Sequence, residues 1–142
     1  MGPLSALSRA TPRTALPPEA QAVVQKLQAR DRAVRAHEAA HLAAAGGLAR
    51  GGPAYTFQRG PDGRLYAVGG EVSIDTAPVA GDPAATLAKA RQIQAAAAAP
   101  SDPSPQDRAV AAAAAQMAAE AARELATTPK ADSVGTRIDL VA

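Results

Sequence analysis

From Glu19 to Ala45 the chain contains neither proline nor glycine, and Gly46-Gly47 follow at once. Pro17-Pro18-Glu19 supplies a helix start, because proline suits the first helical position and Glu19 suits the positive end of the helix dipole. The two glycines supply the stop. This spacing predicts one helix of roughly 27 residues, or about 40 Å at 1.5 Å per residue. Leu27, Val34 and His41 fall seven apart, with Val23 and Glu38 on neighbouring rows, so this stripe is expected to be the buried seam.

Little bulk is left to pack on that seam. Hydrophobic residues make up 47% of the 142 positions. About 40 of them are alanine, which leaves about 27 larger ones. There is one Phe, two Tyr and no Trp. Alanine buries little area, so a thick core is excluded, whereas close-packed helices remain possible. The length fits one small domain with some tail.

Cysteine is absent, which excludes a disulfide framework and a cysteine-based zinc site. No apolar run approaches the roughly 20 residues of a membrane span. Residues 1–13 carry Arg9 and Arg13 without an apolar block behind them, unlike a secretory signal, so a cytoplasmic location is expected. Net charge is +2 and the basic residues are scattered. The densest group, Arg30, Arg32 and Arg35, is interleaved with Asp31 and reads as a solvated helix face rather than a nucleic-acid surface.

The chain divides into an N-terminal arm (1–16), expected to be disordered, a domain (17–127) and a C-terminal tail (128–142). Within the domain, Tyr55-Thr-Phe-Gln58 alternates, Gly60-Pro-Asp-Gly63 makes a turn, and Leu65-Tyr-Ala-Val68 runs on to Gly69-Gly70, which predicts a β-hairpin ending there. Asp82-Pro83 opens a second helix through about Ala99, and Pro100-Ser-Asp-Pro103 breaks it. Ser104-Pro-Gln-Asp107 opens a third, ending before Thr127-Thr128-Pro129, with Val110, Met117 and Glu124 seven apart and Leu125 adjacent. In the tail only Thr136–Leu140 has strand character. The expected fold is mainly α with a small hairpin (α+β), a minimal bundle of one long helix and two Ala-rich ones.

The two histidines of the chain lie four apart, in His37-Glu38-Ala39-Ala40-His41. On a helix they share a face, and two imidazole nitrogens can reach one ion at about 2.0–2.1 Å. Glu38 sits beside them and can accept a proton from an activated water without being a ligand. This is the H-E-x-x-H arrangement of zinc metallopeptidases. A catalytic zinc site needs a third protein ligand and an open fourth position. With no further His or Cys, the third must be Asp or Glu. Asp62 has a turn to explain it and Asp82 a helix cap, and Glu120 and Glu124 suit a solvated helix face. Glu71 has no such local role and is the expected ligand. Asp75, four residues on, shares a face with Glu71 in either a helical turn or a strand, and is expected to accept the second N–H of His37.

The H-E-x-x-H with a downstream E-x-x-x-D resembles the gluzincin branch of zinc peptidases. More closely, Val34-Arg-Ala-His-Glu-Ala-Ala-His41 through Gly46-Gly47 resembles the SprA-related metalloprotease family of bacteria. So do Gly60-Pro-Asp-Gly63, Tyr66-Ala-Val-Gly-Gly-Glu-Val-Ser-Ile-Asp75, Gly81-Asp-Pro83 and Ser104-Pro-Gln-Asp-Arg108. The resemblance covers roughly residues 30–126 and implies a minimal zincin-like helix bundle and a zinc-dependent peptidase acting on a peptide or protein substrate.

A peptidase also needs a group to hold the oxyanion. Tyr66, Tyr55, Arg59 and Arg64 on the hairpin are the candidates, with Tyr66 first because it lies nearest Glu71. The expectation is therefore a zinc-dependent metallohydrolase, with His37, His41 and Glu71 on the ion, Glu38 as general base and Tyr66 assisting. The rival is a non-catalytic Ala-rich helical interaction module in which zinc serves as a structural staple.

Overall fold

A computed structural model describes residues 15–127. The elements run α1 (Pro18–Ala45), a short 3-10 turn (Gly46–Leu48), β1 (Ala54–Arg59), β2 (Leu65–Glu71), α2 (Pro83–Ala98) and α3 (Pro105–Thr127). The fold is mostly helical with one two-stranded antiparallel sheet, as the sequence predicts. Parts of both terminal segments, including the Thr136–Leu140 strand candidate, lie outside the described residues. Among the described residues no helix is long and apolar enough to cross a membrane.

The long helix ends where its glycines require. Gly46 takes φ 52°, a left-handed conformation open to glycine, and its N–H donates to the Leu42 carbonyl. Gln92 of α2 donates to the Ala45 carbonyl at 2.8 Å, so a neighbouring helix satisfies one of the orphan acceptors at this end. The buried face of α1 differs from the expected seam by one residue. Val23 is exposed, while Leu27, Glu38, His41 and Ala45 are buried and Val24, Asp31, Val34 and His37 half-buried. Two interleaved seven-residue rows, 24–31–38–45 and 27–34–41, make this stripe, and it carries Asp31 as well as Glu38.

Asp31 is polar in that position because it faces a strand edge. Its carboxylate accepts the Ala67 N–H at 2.7 Å, and Arg30 donates to the Val68 carbonyl at 2.9 Å. These bonds fasten the hairpin to α1. The pairing register shifts between Thr56 and Phe57, where Thr56 faces Gly69 and Phe57 faces Ala67, leaving Val68 as the bulged residue. Contrary to expectation, Gly69-Gly70 do not end the strand, which pairs on to Glu71 opposite Ala54. The next residues run back beside the α1 terminus. Arg50 donates to Ser73 at 2.8 Å and Asp75 to Leu48 at 2.9 Å, both through backbone N–H groups.

α2 and α3 pack as thin helices. Ala90, Ala96, Ala97, Ala114 and Ala121 are buried, and Ile93 is the single large side chain with essentially no exposure among the described residues. Small residues let the two backbones approach, so the alanine content becomes a packing device rather than a deficit. On α3 the inward row is Val110, Ala114, Met117 and Ala121, while Leu125 is exposed. Asp82 caps α2 through the Ala85 N–H at 3.0 Å.

Candidate metal centre

Three helices converge beside the end of β2. His37 and His41 project from α1, the last turns of α2 pass behind them, and the first turn of α3 brings up Asp107. His41 Nδ1 donates to the Ala96 carbonyl at 2.7 Å. That bond places the proton on Nδ1 and leaves a lone pair on Nε2 in the neutral ring. The two Nε2 atoms lie 3.1 Å apart, and the Asp107 oxygens lie 3.1 Å from each, Oδ2 from His37 and Oδ1 from His41.

His37, His41 and Asp107 form a group whose ligand atoms all lie within 4.8 Å of one another. Two donors at 2.0–2.1 Å on one tetrahedral ion would be about 3.3 Å apart. The 3.1 Å between the two Nε2 atoms therefore fits two donors on one cation, and Asp107 presents one oxygen to each ring. Asp107 arrives there through a reciprocal capping box. Ser104 Oγ accepts the Asp107 N–H at 3.0 Å, and Asp107 Oδ2 accepts the Ser104 N–H at 2.8 Å. Burial pushes the Asp107 carboxyl up, but the Ser104 bonds and the imidazoles outweigh it and hold it below the ordinary carboxylate value.

Glu38 lies on the same turn of α1 and is 4% exposed. Its Oε2 is buried and has no hydrogen-bond partner. A buried carboxylate oxygen without a partner, beside a convergent donor set, keeps a lone pair free to accept a proton. Desolvation raises the Glu38 pKa most. The two histidines counter this, while Asp107 and Glu71 add to it. Gly70 makes this burial possible. A Cβ there would sit 3.0 Å from Glu38 Cγ and 3.0 Å from Tyr55 Cδ1.

Two cavities meet at these residues. One, of about 310 Å³, is lined by His37, Glu38, His41 and Asp107 together with Glu71 and Ser104. The other, of about 760 Å³, opens between α1, Val68–Gly70 and the 100–105 loop, with Arg30 and Arg108 at its rim. His37 and Glu38 line both.

The structure thus brings together His37, Glu38 and His41 as the motif predicts, but the carboxylate grouped with them is Asp107. Glu71 lines the same cavity, exposed at the end of β2, and stands outside that three-residue group. Asp75 does not reach His37. Its carboxylate is taken by Lys89 at 3.0 Å and Arg50 at 3.2 Å, and the outer-nitrogen bond the structure shows is on the other ring, from His41 Nδ1 to the Ala96 carbonyl. Tyr66 is likewise away from the centre. Its hydroxyl donates to Asp62, and its ring packs by Gly60 and Leu27, ten residues or about 15 Å back along α1. Of the other hairpin candidates, Arg59 is bonded to the Gly63 carbonyl, and Tyr55 stacks under Arg35 at 5.0 Å.

Sequence reasoning missed Asp107 because its local role accounts for it completely. An acid three residues after a serine and just past a proline is what a helix start asks for. The available signal was that Ser104-Pro-Gln-Asp107 also falls among the segments of the family resemblance.

Comparison with known proteins bears on relatedness. No curated protein and no solved structure matches the chain. The model of the SprA-related family matches residues 10–138, and the chain therefore belongs to the SprA-related family.

Proposed function

We propose that this protein is a zinc-dependent metallopeptidase, with His37, His41 and Asp107 holding the ion and Glu38 as general base. The observation that carries the reading is the convergence of two imidazole Nε2 atoms and one carboxylate beside a buried glutamate whose Oε2 is unpartnered. A bound zinc ion would supply Lewis acidity, polarising a carbonyl and making water a stronger acid.

The chain's own residues then have defined tasks. His41 is oriented by the Ala96 carbonyl, and Asp107 by the capping box. Glu38 Oε2 takes a proton from the attacking water as its oxygen bonds to the carbonyl carbon. It returns that proton to the amine nitrogen as the C–N bond breaks. The wall of helix and strand around Glu38 keeps bulk water from competing for this oxygen. A structural staple would need neither a buried, unpartnered glutamate nor a cavity of about 310 Å³ opening on all three ligands.

The test has two parts. Purified protein is expected to carry zinc near one equivalent, lost in His41→Ala and Asp107→Asn and kept in Glu71→Gln. Loss in Glu71→Gln with retention in Asp107→Asn would transfer the ligand role to Glu71. Protein that takes up no stoichiometric metal would refute the centre. Glu38→Gln is expected to keep zinc and lose peptide cleavage, and unchanged cleavage would remove Glu38 from the mechanism.

A further inference from the structure

A third cavity, of about 330 Å³, lies along α3 next to the metal centre. Its walls are Ile93 of α2 and Val110, Ala113, Ala114 and Met117 of α3. Thr76, Gln106 and Val110 line both this cavity and the one that opens on His37, His41 and Asp107. The two spaces therefore share a wall at the first turns of α3. The chemistry changes sharply across it, from imidazole and carboxylate to aliphatic carbon and thioether.

We infer that this cavity is a side-chain pocket that selects substrates with a bulky aliphatic residue, such as leucine, next to the bond that reacts at the metal centre. The inference rests on the peptidase reading for the words substrate and bond. The pocket itself rests on its lining and its continuity with the centre. No charged residue lines it, so a charged side chain would enter without a partner, at a desolvation cost. The alanines at 113 and 114 create the space, because any larger residue on that face of α3 would fill it. Met117, with its flexible thioether, can adjust to the shape of an aliphatic guest. A glycine or alanine at the same substrate position would leave the apolar walls wet.

The experiment uses the full chain, zinc-loaded, with Glu38→Gln to prevent turnover. The sequence has two methionines, Met1 and Met117, so a carbon-13 methyl label gives a direct reporter of the pocket. The probes are two blocked tetrapeptides that differ only in leucine against glycine at one position. A saturable shift of the Met117 methyl with the leucine peptide, and none with the glycine peptide, is the expected result. An unmoved methyl with both overturns the inference. So does a Met117 shift that tracks protein concentration without peptide, which would assign the pocket to a second copy.

In the enzyme with Glu38 intact, Ala113→Phe narrows the pocket from an exposed helix position. It is expected to lower kcat/KM for the leucine peptide about tenfold or more, while an alanine counterpart changes less than about twofold. Equal losses on both overturn the inference. The two readings fail separately. A shifted methyl with no cleavage of any peptide refutes the peptidase reading alone, and cleavage without leucine preference or methyl shift refutes the pocket alone.

Discussion

Gly69 and Gly70 are neighbours in one strand, yet the structure assigns them opposite responses to a single added methyl. Neither has a positive φ, so alanine is allowed by the backbone at both. At Gly69 a Cβ would meet Thr56 Cβ at 3.7 Å and Oγ1 at 3.9 Å, ordinary contact distances. At Gly70 it would be caught between Glu38 Cγ at 3.0 Å, Glu38 Oε1 at 3.2 Å and Tyr55 Cδ1 at 3.0 Å. Carbon atoms prefer about 3.5–4.0 Å, so Gly70→Ala must open the space on two sides by about half an ångström or more.

The magnitudes follow. Replacing a strand glycine by alanine restricts the unfolded chain and is worth about 0.4–1 kcal/mol where it fits. Gly69→Ala should gain that amount. Gly70→Ala gains it too but loses about 1–3 kcal/mol to overpacking. The pair should therefore differ by about 1–3 kcal/mol, or roughly 4–12 °C in Tm at about 4 °C per kcal/mol for a domain of this size. Thermal unfolding of the metal-free proteins measures this. Gly70→Ala at least as stable as Gly69→Ala would refute the close approach of Glu38 to the strand. The second readout is chemical. The three atoms nearest the added methyl belong to Glu38 and Tyr55, so zinc content should hold while peptide cleavage falls, because the displaced group is Glu38.

Two further outcomes test the supports of the centre. Ser104→Ala removes one half of the capping box. It should cost about 1 kcal/mol of stability and weaken zinc about 10–100-fold by releasing Asp107. Competition with a chelator reads the affinity, and an unchanged value would deny Ser104 its positioning role. At low pH, Asp75 and Asp31 should contribute to the loss of structure beside Asp62 and Asp107, whose carboxyls are also held low. Asp75 is held below its ordinary 3.8 chiefly by Lys89, with help from the Ala77 N–H, and Asp31 chiefly by the Ala67 N–H. Both stabilise the fold as carboxylates, so their contribution is complete above pH 3.8 and is lost as pH falls from there through the lower folded values. Lys89→Ala should lower stability at pH 7 and flatten the acid limb in urea unfolding, and an acid limb identical to wild type would refute the Asp75 assignment.

Local rules and long-range contacts divide what the sequence made legible. Proline, glycine and serine punctuation placed the three helices within a residue or two, because caps and stops act through neighbours on the chain. The His37–His41 pair was equally legible, since helical period alone puts both rings on one face. Ligand choice is different in kind. Glu71 stands out in the sequence because no local role explains it, whereas Asp107 reads only as the acid of a helix start. On the proposed reading the capping box does not compete with metal binding but prepares it. Ser104 holds the carboxylate in the one orientation that faces both imidazoles, and the α3 dipole favours its negative charge. A residue that satisfies a helix end has lost its rotamer freedom before any ligand arrives, so less ordering remains to oppose binding. A local role in a helix cap is therefore no argument against a second role at a site. The same logic accounts for Asp75 and Tyr66. Each lies near Glu71 in sequence, and each is held instead by another partner, Asp75 by Lys89 of α2, which only the tertiary fold brings up, and Tyr66 by Asp62, four residues back across the hairpin turn.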